Sequence, residues 1–326
     1  MFSVIIPLYN KERHIEKTIR SVLDQTFDEY EILVVNDGST DNGPKIVKKI
    51  DSDKIRLINQ ENMGVSVARN RGANEAKQDF LVFLDADDGL LPNYLNEIKN
   101  LIGDYPEASL YASNLYVYKK STGEYIPQAK DFLPERGIIH NYFFHLVKGR
   151  KILGCVSTIR RDTLLKTGGY QAKMKRAQDT HLFTRLLMSE KLAFVNKRLY
   201  YYTIGSDNQA TDNHHIFSTK YSVIDLIGLG NEFADEFIIN YTIGHVKTMI
   251  RFGHRKEANL LLKKIIQKAP NELSHIIKSK IEEINLLMKY PNIYYATKRN
   301  IIRILVRLKD QLKNLNIIDS HPKKWV

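Results

Sequence analysis

Asp79-Phe80-Leu81-Val82-Phe83-Leu84-Asp85-Ala86-Asp87-Asp88 is the stretch of sequence that decides the fold of this chain. Its apolar run from Phe80 to Leu84 is too short for a helix, and its content of Phe and Val predicts a strand buried on both faces. Three carboxylates then follow within four residues. Because an ionised carboxylate is unstable in an apolar core without a partner, the strand must end where it meets solvent.

The acidic end of this strand is a candidate metal site. Hard oxygen ligands suit Mg²⁺ or Mn²⁺, and these ions commonly bridge one or two carboxylates to the phosphates of a substrate. Ligands of open α/β sheets bind at the carboxyl ends of the strands. The residues alone leave two interpretations open, namely a metal–diphosphate site and an acidic turn in which Asp88 caps the next segment.

The segments around this strand alternate between short apolar runs and amphipathic stretches. Strands are predicted at 2–7, 31–35 and 55–58 before the acidic strand, and helices at about 14–25, 43–50 and 65–76. This alternation predicts right-handed βαβ units and a parallel sheet. A polar cluster follows each strand, so the clusters should meet along one edge; they are Tyr9–Glu12, Asn36–Asp41, Asn62 and Asp85–Asp88.

The composition is that of a globular protein. The chain has 326 residues, of which 43% are hydrophobic and 26% are charged, enough for one large or two ordinary domains. The single cysteine, Cys155, excludes an intrachain disulfide, and we expect it to be a core residue rather than a nucleophile. No secretory signal and no membrane-spanning apolar run is visible, which predicts a cytoplasmic location.

The excess positive charge lies entirely in the C-terminal part of the chain. Residues 241–326 contain 18 Lys and Arg against 6 Asp and Glu, which accounts for the whole net charge of +12. Apolar residues there recur on one face of a predicted long helix; they are Ile301, Leu305, Leu308, Leu312 and Leu315. Such a basic amphipathic helix either lies peripherally on an anionic membrane surface or packs on the rest of the protein, and the sequence leaves both open.

Two common phosphate-binding motifs are missing from the sequence. No Gly-x-Gly-x-x-Gly follows the first strand, and Gly-x-x-x-x-Gly-Lys-Ser/Thr does not occur, so neither a Rossmann dinucleotide site nor a P-loop is expected. A metal and basic side chains must therefore neutralise any bound phosphates. Arg69, on the helix that leads into the acidic strand, is the candidate, with a solvated helix residue as the alternative.

Four segments resemble, in order and spacing, the inverting family 2 glycosyltransferases of the GT-A fold. They are Val4–Glu12, Val34–Asp41, Asn62–Asn70 and Phe83–Asp88. The resemblance is specific over about residues 1–115, looser to about 205 and absent beyond. It implies an α/β fold, with a GT-A Rossmann-like, mostly parallel sheet flanked by helices and an α-helical C-terminal extension.

The resemblance also implies a domain organisation and an activity. A catalytic domain would cover 1–215, with nucleotide-sugar binding in 1–115 and the acceptor side and catalytic base in 116–215, and a basic helical region would cover 216–326. Enzymes of this family pass a sugar from a nucleoside-diphosphate donor to an acceptor hydroxyl with inversion. We therefore expect a Mn²⁺- or Mg²⁺-dependent hexosyl- or N-acetylhexosaminyltransferase that uses a UDP-sugar. Its acceptor would be a saccharide or a lipid-linked saccharide of surface polysaccharide or glycolipid synthesis.

The first two matching segments would supply the nucleoside pocket. By the resemblance, Pro7, Tyr9 and Glu12 would line this pocket. Asp37 would read the base by accepting a hydrogen bond from a ring N–H.

The other two segments would hold the rest of the nucleotide. By the resemblance, Asp85 would contact the ribose, and Asp87 would hold the metal against the diphosphate with Asp88 assisting. Arg69 would help to hold the nucleotide end of the donor.

The resemblance also points to a catalytic base. The family takes this base from an acidic pair that opens a helix after a Gly-Gly turn, and here Gly168-Gly169 is followed by Gln178-Asp179. Asp179 matches the base, whereas Gln178 departs from the usual Glu. A first-turn carboxylate favoured by the helix dipole is the alternative for Asp179.

Three further interpretations stay open at this point. A nucleotidyltransferase should have a Gly-rich loop after the first strand, but Asn10–Arg13 contains no glycine. A nucleic-acid-binding protein would fit the pI of about 9.4. The equal numbers of acidic and basic residues in 1–240 argue against it, and we expect no nucleic-acid partner. Because Gln178 departs from the usual Glu, a catalytically inactive relative of the family is the third interpretation.

His214 and His215 are either metal ligands or an ordinary surface pair.

Overall fold

The computed structural model describes residues 1–174, 176–206 and 222–289. The strands are β1 (Phe2–Leu8), β2 (Tyr30–Asp37), β3 (Ile55–Gln60), β4 (Phe80–Phe83), β5 (Gly89–Leu90), β6 (Leu110–Lys119), β7 (Glu124–Pro127), β8 (Arg136–Ile138), β9 (Ser157–Arg160) and β10 (Leu192–Ile204). The helices are α1 (Ile15–Leu23), α2 (Gly43–Lys49), α3 (Val65–Glu75), α4 (Tyr94–Asp104), α5 (Tyr142–Val147), α6 (Arg161–Lys166), α7 (Gln178–Leu186), α8 (Glu232–Arg251), α9 (Arg255–Lys268) and α10 (Ser274–Lys289). Two short 3-10 helices cover Val223–Leu226 and Asn271–Leu273.

The predicted βαβ units and the predicted α/β class are confirmed. The strands form one sheet in the order β3-β2-β1-β4-β9-β6-β10-β5, with β7 beside β6 and β8 beside β10. The pairs β1–β2, β1–β4 and β2–β3 are parallel, so β1 to β4 end at the same edge. β9 is antiparallel to both β4 and β6, whereas β10 is parallel to β6, so the sheet is mixed beyond β4.

Pro7 lies inside β1, one residue before the end of the strand, without breaking the sheet. The carbonyl of Ile5 accepts a hydrogen bond from Leu84 N–H at 3.0 Å, so Ile5 faces β4, and by the two-residue period of a strand Pro7 faces the same side. The pairing of β4 with β1 ends at Ile5. An N–H at position 7 would point beyond the end of that ladder and would have no partner in β4. Proline therefore costs no hydrogen bond there, and β1 continues to Leu8 rather than ending at Pro7 as predicted.

β4 is buried on both faces, as its composition predicted. Val82 and Leu84 pack into the layer that contains α1 and α4, and Leu81 and Phe83 pack into the layer that contains α3 and α7. All of these side chains are at most 1% exposed. The two apolar layers hold the acidic end of the strand at the edge of the sheet.

The chain divides into two compact units, Met1–Thr242 and a second unit that begins at Ile243. The predicted domain boundary at 215/216 lies among residues 207–221, outside the described residues, so that division stays a prediction. The predicted helix that carries Ile301 and Leu315 also lies outside the described residues.

The described part of the second unit is helical. α9 buries one stripe of its surface, formed by Ala258, Leu261, Leu262 and Ile265. Lys247 Nζ lies 2.5 Å from Glu283 Oε2 and thereby links α8 to α10. Among the described helices of the chain, none has the length and apolar character needed to cross a membrane.

We predict that Gly72→Ala destabilises the protein. An added Cβ at Gly72 in α3 would lie 2.4 Å from Cγ2 of the buried Ile5 in β1, and such overpacking costs about 1–3 kcal/mol. The matched control is Gly103→Ala in α4, where an added Cβ meets no atom within 4 Å and alanine should stabilise the helix by up to about 1 kcal/mol. Urea denaturation of both variants measures the difference, and effects of the same sign would contradict this packing.

Candidate active site

The loops after β1 and β2 are tied together at the edge of the sheet. Asn10 Oδ1 accepts the N–H of Thr40 at 2.8 Å, and Asp41 Oδ2 accepts the N–H of Glu12 at 2.7 Å. The predicted meeting of these polar clusters is thus confirmed by direct hydrogen bonds. These bonds join the two loops into one rim at the end of the sheet.

Asp37 organises the turn that leads into α3. Its Oδ1 accepts from Gln60 Nε2 at 2.8 Å and from Met63 N–H at 2.9 Å, and its Oδ2 accepts from Gly64 N–H at 2.9 Å. A carboxylate offers about four acceptor positions, so about one is left for a ligand. The side chain is only 3% exposed, and its predicted role as a reader of the nucleotide base stays a prediction.

The residues predicted to line the nucleoside pocket differ in their environment. Tyr9 is 46% exposed and Pro7 is half-buried, so both are accessible at the rim. Glu12 instead accepts hydrogen bonds from the backbone N–H and side-chain Nδ2 of Asn42 at 2.9 and 3.1 Å, and these bonds lower its pKa. Glu12 therefore anchors the start of α2, and a direct contact with a nucleoside stays a prediction.

Asp88 is held inside the protein rather than at the rim. It is 1% exposed, its Oδ1 accepts the N–H of Thr203 at 2.8 Å, and its Oδ2 accepts from the Cys155 thiol at 3.0 Å. Burial and the nearby charges of Asp85 and Asp87 raise the pKa of Asp88 well above its usual range. These contacts favour a structural role, and the predicted assistance to a metal stays a prediction.

Cys155 is a partner of Asp88 and packs against the apolar core. Burial and the adjacent Asp88 carboxyl raise the pKa of its thiol well above the ordinary value. The thiol therefore stays protonated, in agreement with the prediction that it is not a nucleophile.

Arg69 connects the acidic end of β4 to the first turn of α7. Its side chain is 5% exposed; Nη2 donates to Asp85 Oδ1 at 2.7 Å and Nη1 donates to Asp179 Oδ1 at 2.9 Å. Burial alone would lower the pKa of Arg69, but the carboxylates of Asp179 and Asp85 raise it well above its ordinary value. Arg69 is thus a buried cation between two acids, and the alternative of a solvated helix residue is wrong.

The pKa of Asp85 is influenced by neighbouring charges of both signs. Burial raises its pKa, Arg69 opposes this shift, and the charges of Asp179 and Asp87 add to it. The side chain of Asp85 is 32% exposed and that of Asp179 is 39% exposed, so both acids keep a face toward solvent. Both carboxylates are therefore accessible from solvent, while Arg69 contacts them from the buried side.

Backbone conformation and close packing explain why glycine occupies both positions of the turn that precedes α7. Gly168 and Gly169 both have positive φ angles, of 77° and 67°, and a Cβ at Gly169 would lie 2.5 Å from Asn70 Oδ1. The side chain of Asn70 accepts the N–H of Tyr170 and donates to its carbonyl, both at 2.8 Å. Asn70 thereby fixes the segment that leads to Asp179, while its neighbour Arg69 holds the carboxylate itself.

Gln178 is the first residue of α7, and its Nε2 donates to the carbonyl of Met174 at 3.2 Å. The amide is therefore used to hold the turn that precedes the helix. An amide can donate in this way, whereas an ionised Glu could not.

Asp87 has a cationic partner of its own. Lys11 Nζ lies 2.8 Å from Asp87 Oδ2, and Ser206 Oγ donates to the same oxygen. Lys11 Nζ also donates to Ser206 Oγ at 3.3 Å. Asp87, predicted to hold a metal, thus forms a three-residue cluster with side chains from the β1 loop and the end of β10.

The residues at this edge fit a donor-bound divalent cation. Among the described residues, no group of three or more His, Cys, Asp or Glu side chains could hold a metal ion. A nucleotide-bound Mg²⁺ or Mn²⁺ needs only one or two carboxylates, because phosphates and water supply its other ligands. Asp87 Oδ2 holds the ammonium of Lys11, so this carboxylate faces a position suited to a cation. His214 and His215 lie outside the described residues.

Sequence reasoning missed Lys11, Asn70, Tyr170 and Ser206. Lys11 and Asn70 lie within the matching segments next to residues that were singled out, so their position was a usable signal. Ser206 lies 119 residues from Asp87, and only the fold brings them together.

The sequence profile of the family "Glycosyl transferase family 2" matches residues 3–164 of this chain. The chain is similar to Glycosyltransferase GlyA of Streptococcus pneumoniae serotype 4, with 32% identity over 62% of this chain and 30% of that protein. Putative glycosyltransferase EpsH of Bacillus subtilis is 32% identical over 45% of this chain and 44% of that protein. The chain thus spans less than half the length of these two relatives.

Similarity over most of the chain is found to a Staphylococcus aureus protein. The poly(ribitol-phosphate) beta-N-acetylglucosaminyltransferase TarS is 25% identical over 92% of this chain and 54% of that protein. The crystal structure of TarS 1–349 in complex with UDP-GlcNAc has a TM-score of 0.70 and 19% sequence identity, and covers 89% of this chain and 90% of that one. At this identity the structural match establishes the fold.

We predict that Arg69→Met and Asp179→Asn are energetically coupled. Removal of the buried cation leaves Asp85 and Asp179 uncompensated, and the free energy of unfolding should fall by about 3 kcal/mol. Asp179→Asn in the Arg69→Met background should cost less than in the wild type, with a coupling energy of about 1–3 kcal/mol.

Urea denaturation of the two single variants and the double variant measures this coupling. The control is Arg71→Met on the same helix, whose side chain is 50% exposed and should cost at most about 0.5 kcal/mol. Additive effects of the two site substitutions would contradict the bridge.

Proposed function

The chain belongs to glycosyl transferase family 2, and on this premise we propose that it transfers a sugar from a nucleoside-diphosphate sugar, with a UDP-sugar favoured, to an acceptor hydroxyl. The observation that carries the proposal is the Arg69 bridge between Asp85 and Asp179, which lie far apart in the sequence. It joins the acid expected at the donor ribose to the acid expected to act as the base. An acidic surface turn would not need such a buried cation.

In this proposal the donor lies along the ends of β1, β2 and β4. Tyr9 at the exposed rim packs against the nucleoside, and the free acceptor position of Asp37 receives the ring N–H of the base. Asp85 hydrogen-bonds the ribose, and Asp87 would hold a Mn²⁺ or Mg²⁺ ion that neutralises the diphosphate. The similarity to TarS, whose crystal structure contains UDP-GlcNAc, supports a UDP-sugar.

Asp179 is the proposed base. As the acceptor oxygen bonds to the anomeric carbon from the face opposite the diphosphate, the bond from that carbon to the diphosphate oxygen breaks, and the hydroxyl proton passes to Asp179. A divalent cation at Asp87 would stabilise the negative charge of the leaving diphosphate. Arg69 fixes the carboxylate of Asp179, so that its exposed oxygen faces the acceptor.

The proposed acceptor is a saccharide or lipid-linked saccharide in surface polysaccharide or glycolipid synthesis. The names of relatives support this class, including TarS and the minor teichoic acid biosynthesis protein GgaA of Bacillus subtilis, which is 27% identical over 68% of this chain. Contact of the basic C-terminal region with an anionic membrane would bring the enzyme to such an acceptor.

The test of the proposed donor site is thermal stabilisation by UDP, GDP, CMP and ADP, each with and without Mn²⁺. A ligand that binds only the folded state raises the melting temperature by mass action. We expect a shift with UDP that requires Mn²⁺ and that Asp87→Asn abolishes, whereas Asp28→Asn at a 96% exposed side chain leaves it intact. Absence of a shift with all four nucleotides would favour an inactive relative.

We predict that Asp179→Asn stops transfer and leaves donor binding intact. Loss of a general base typically lowers the rate about 10²- to 10⁴-fold, whereas the donor contacts lie on other residues. Initial rates of sugar transfer and calorimetric binding of UDP with Mn²⁺ measure the two properties separately. The matched control is Asp28→Asn at a 96% exposed side chain, which should retain activity; turnover of Asp179→Asn within a few-fold of the wild type would place the base elsewhere.

A further inference from the structure

We propose that Lys11 is a positioning residue that neutralises Asp87 in the donor-free protein and moves to the donor diphosphate when a divalent cation takes its place. Lys11 would thus oppose binding of the free cation and favour binding of the cation together with the nucleotide. The inference rests on the proposed function of this edge as a donor site.

The contacts of Lys11 place its charge where a metal would bind. Its Nζ lies 2.8 Å from Asp87 Oδ2, and both side chains are only 12% exposed. Ser206 Oγ donates to the same carboxylate oxygen and accepts from Lys11. Any cation that binds Oδ2 of Asp87 must therefore displace at least one of these two partners.

The backbone directs Lys11 to this place. Asn10 has a left-handed conformation with φ of 52°, which asparagine tolerates better than most residues. Its N–H donates to Ser39 Oγ at 3.2 Å, and its side chain accepts the N–H of Thr40. The N–H of Glu12 is likewise held by Asp41. Lys11 is thus fixed at its backbone on both sides, and any displacement of its charge must come from rotation of its side chain.

Asp85, Asp87 and Asp179 each contact a cationic side chain at this edge of the sheet. Arg69 compensates Asp85 and Asp179, and Lys11 compensates Asp87. A divalent cation at Asp87 would repel the ammonium, because like charges that share one carboxylate are only a few ångströms apart and are poorly screened by water there. A bound diphosphate offers the displaced ammonium new oxygen acceptors within the reach of its side chain.

This exchange predicts effects of opposite sign on two affinities. Removal of the Lys11 charge should strengthen binding of Mn²⁺ alone, because the competing cation is gone. The same change should weaken binding of UDP in saturating Mn²⁺, because a cationic partner of the diphosphate is gone. A residue that merely supports the local structure would weaken both affinities when it is replaced.

The experiment compares wild type and Lys11→Met, which keeps the apolar stem and removes the charge. Titration calorimetry measures Mn²⁺ binding without nucleotide and UDP binding in saturating Mn²⁺. We expect the affinity for Mn²⁺ alone to rise about tenfold and that for UDP to fall about tenfold, as a charge contribution of about 1.4 kcal/mol implies. Lys11→Arg keeps the charge and should stay within about threefold of the wild-type affinity for Mn²⁺.

The matched control is Lys45→Met, an exposed lysine on α2 near the same edge, which should change neither affinity. If Lys11→Met leaves the Mn²⁺ affinity unchanged or weakens both affinities, the inference is overturned while wild-type binding of UDP with Mn²⁺ still supports the proposed function. Wild-type protein that binds neither Mn²⁺ nor UDP would overturn the proposed function and this inference with it.

Discussion

The structure of the site depends on the neutralisation of acids at one edge of a sheet. Arg69 is the central example, because a guanidinium that is 5% exposed is stable only with charged partners. Its two arms contact Asp85, at the end of β4, and Asp179, in the first turn of α7. The planar fork of arginine suits this bridge, since two donors on different nitrogens reach two carboxylates at once. A single side chain therefore links the end of β4 to the first turn of α7.

The acids at this edge are neutralised by different groups, and the differences separate their roles. Asp37 and Asp88 accept backbone N–H groups and are at most 3% exposed, so they hold turns and strands in place. Asp85 and Asp179 share a buried arginine but keep a solvent-facing side. Asp87 is held by the ammonium of Lys11 and the hydroxyl of Ser206. The acids proposed to contact the donor or the acceptor are Asp85, Asp87 and Asp179, together with Asp37 through the one acceptor position that its turn leaves open.

The elements up to β4 could be predicted because their signals are local. Largely apolar segments of four to six residues, separated by amphipathic stretches, predicted the βαβ order, and the structure places each element within a few residues of its predicted bounds. The later part of the sheet was harder to predict, because β9 inserts antiparallel between β4 and β6. The local sequence around β9 does not indicate whether the strand runs parallel or antiparallel to its neighbours. That direction depends on strands that are distant in sequence.

The sequence by itself determined the α/β class, the buried acidic strand and the edge at which the polar clusters meet, and its matching segments indicated glycosyl transferase family 2. Those features follow from periodicity, from turn residues and from motifs that each lie within about ten residues of sequence. Only the tertiary structure decided which acid pairs with which cation. Arg69 and Asp179 are 110 residues apart and Lys11 and Asp87 are 76 residues apart, and charge pairing depends on distance in space rather than along the chain.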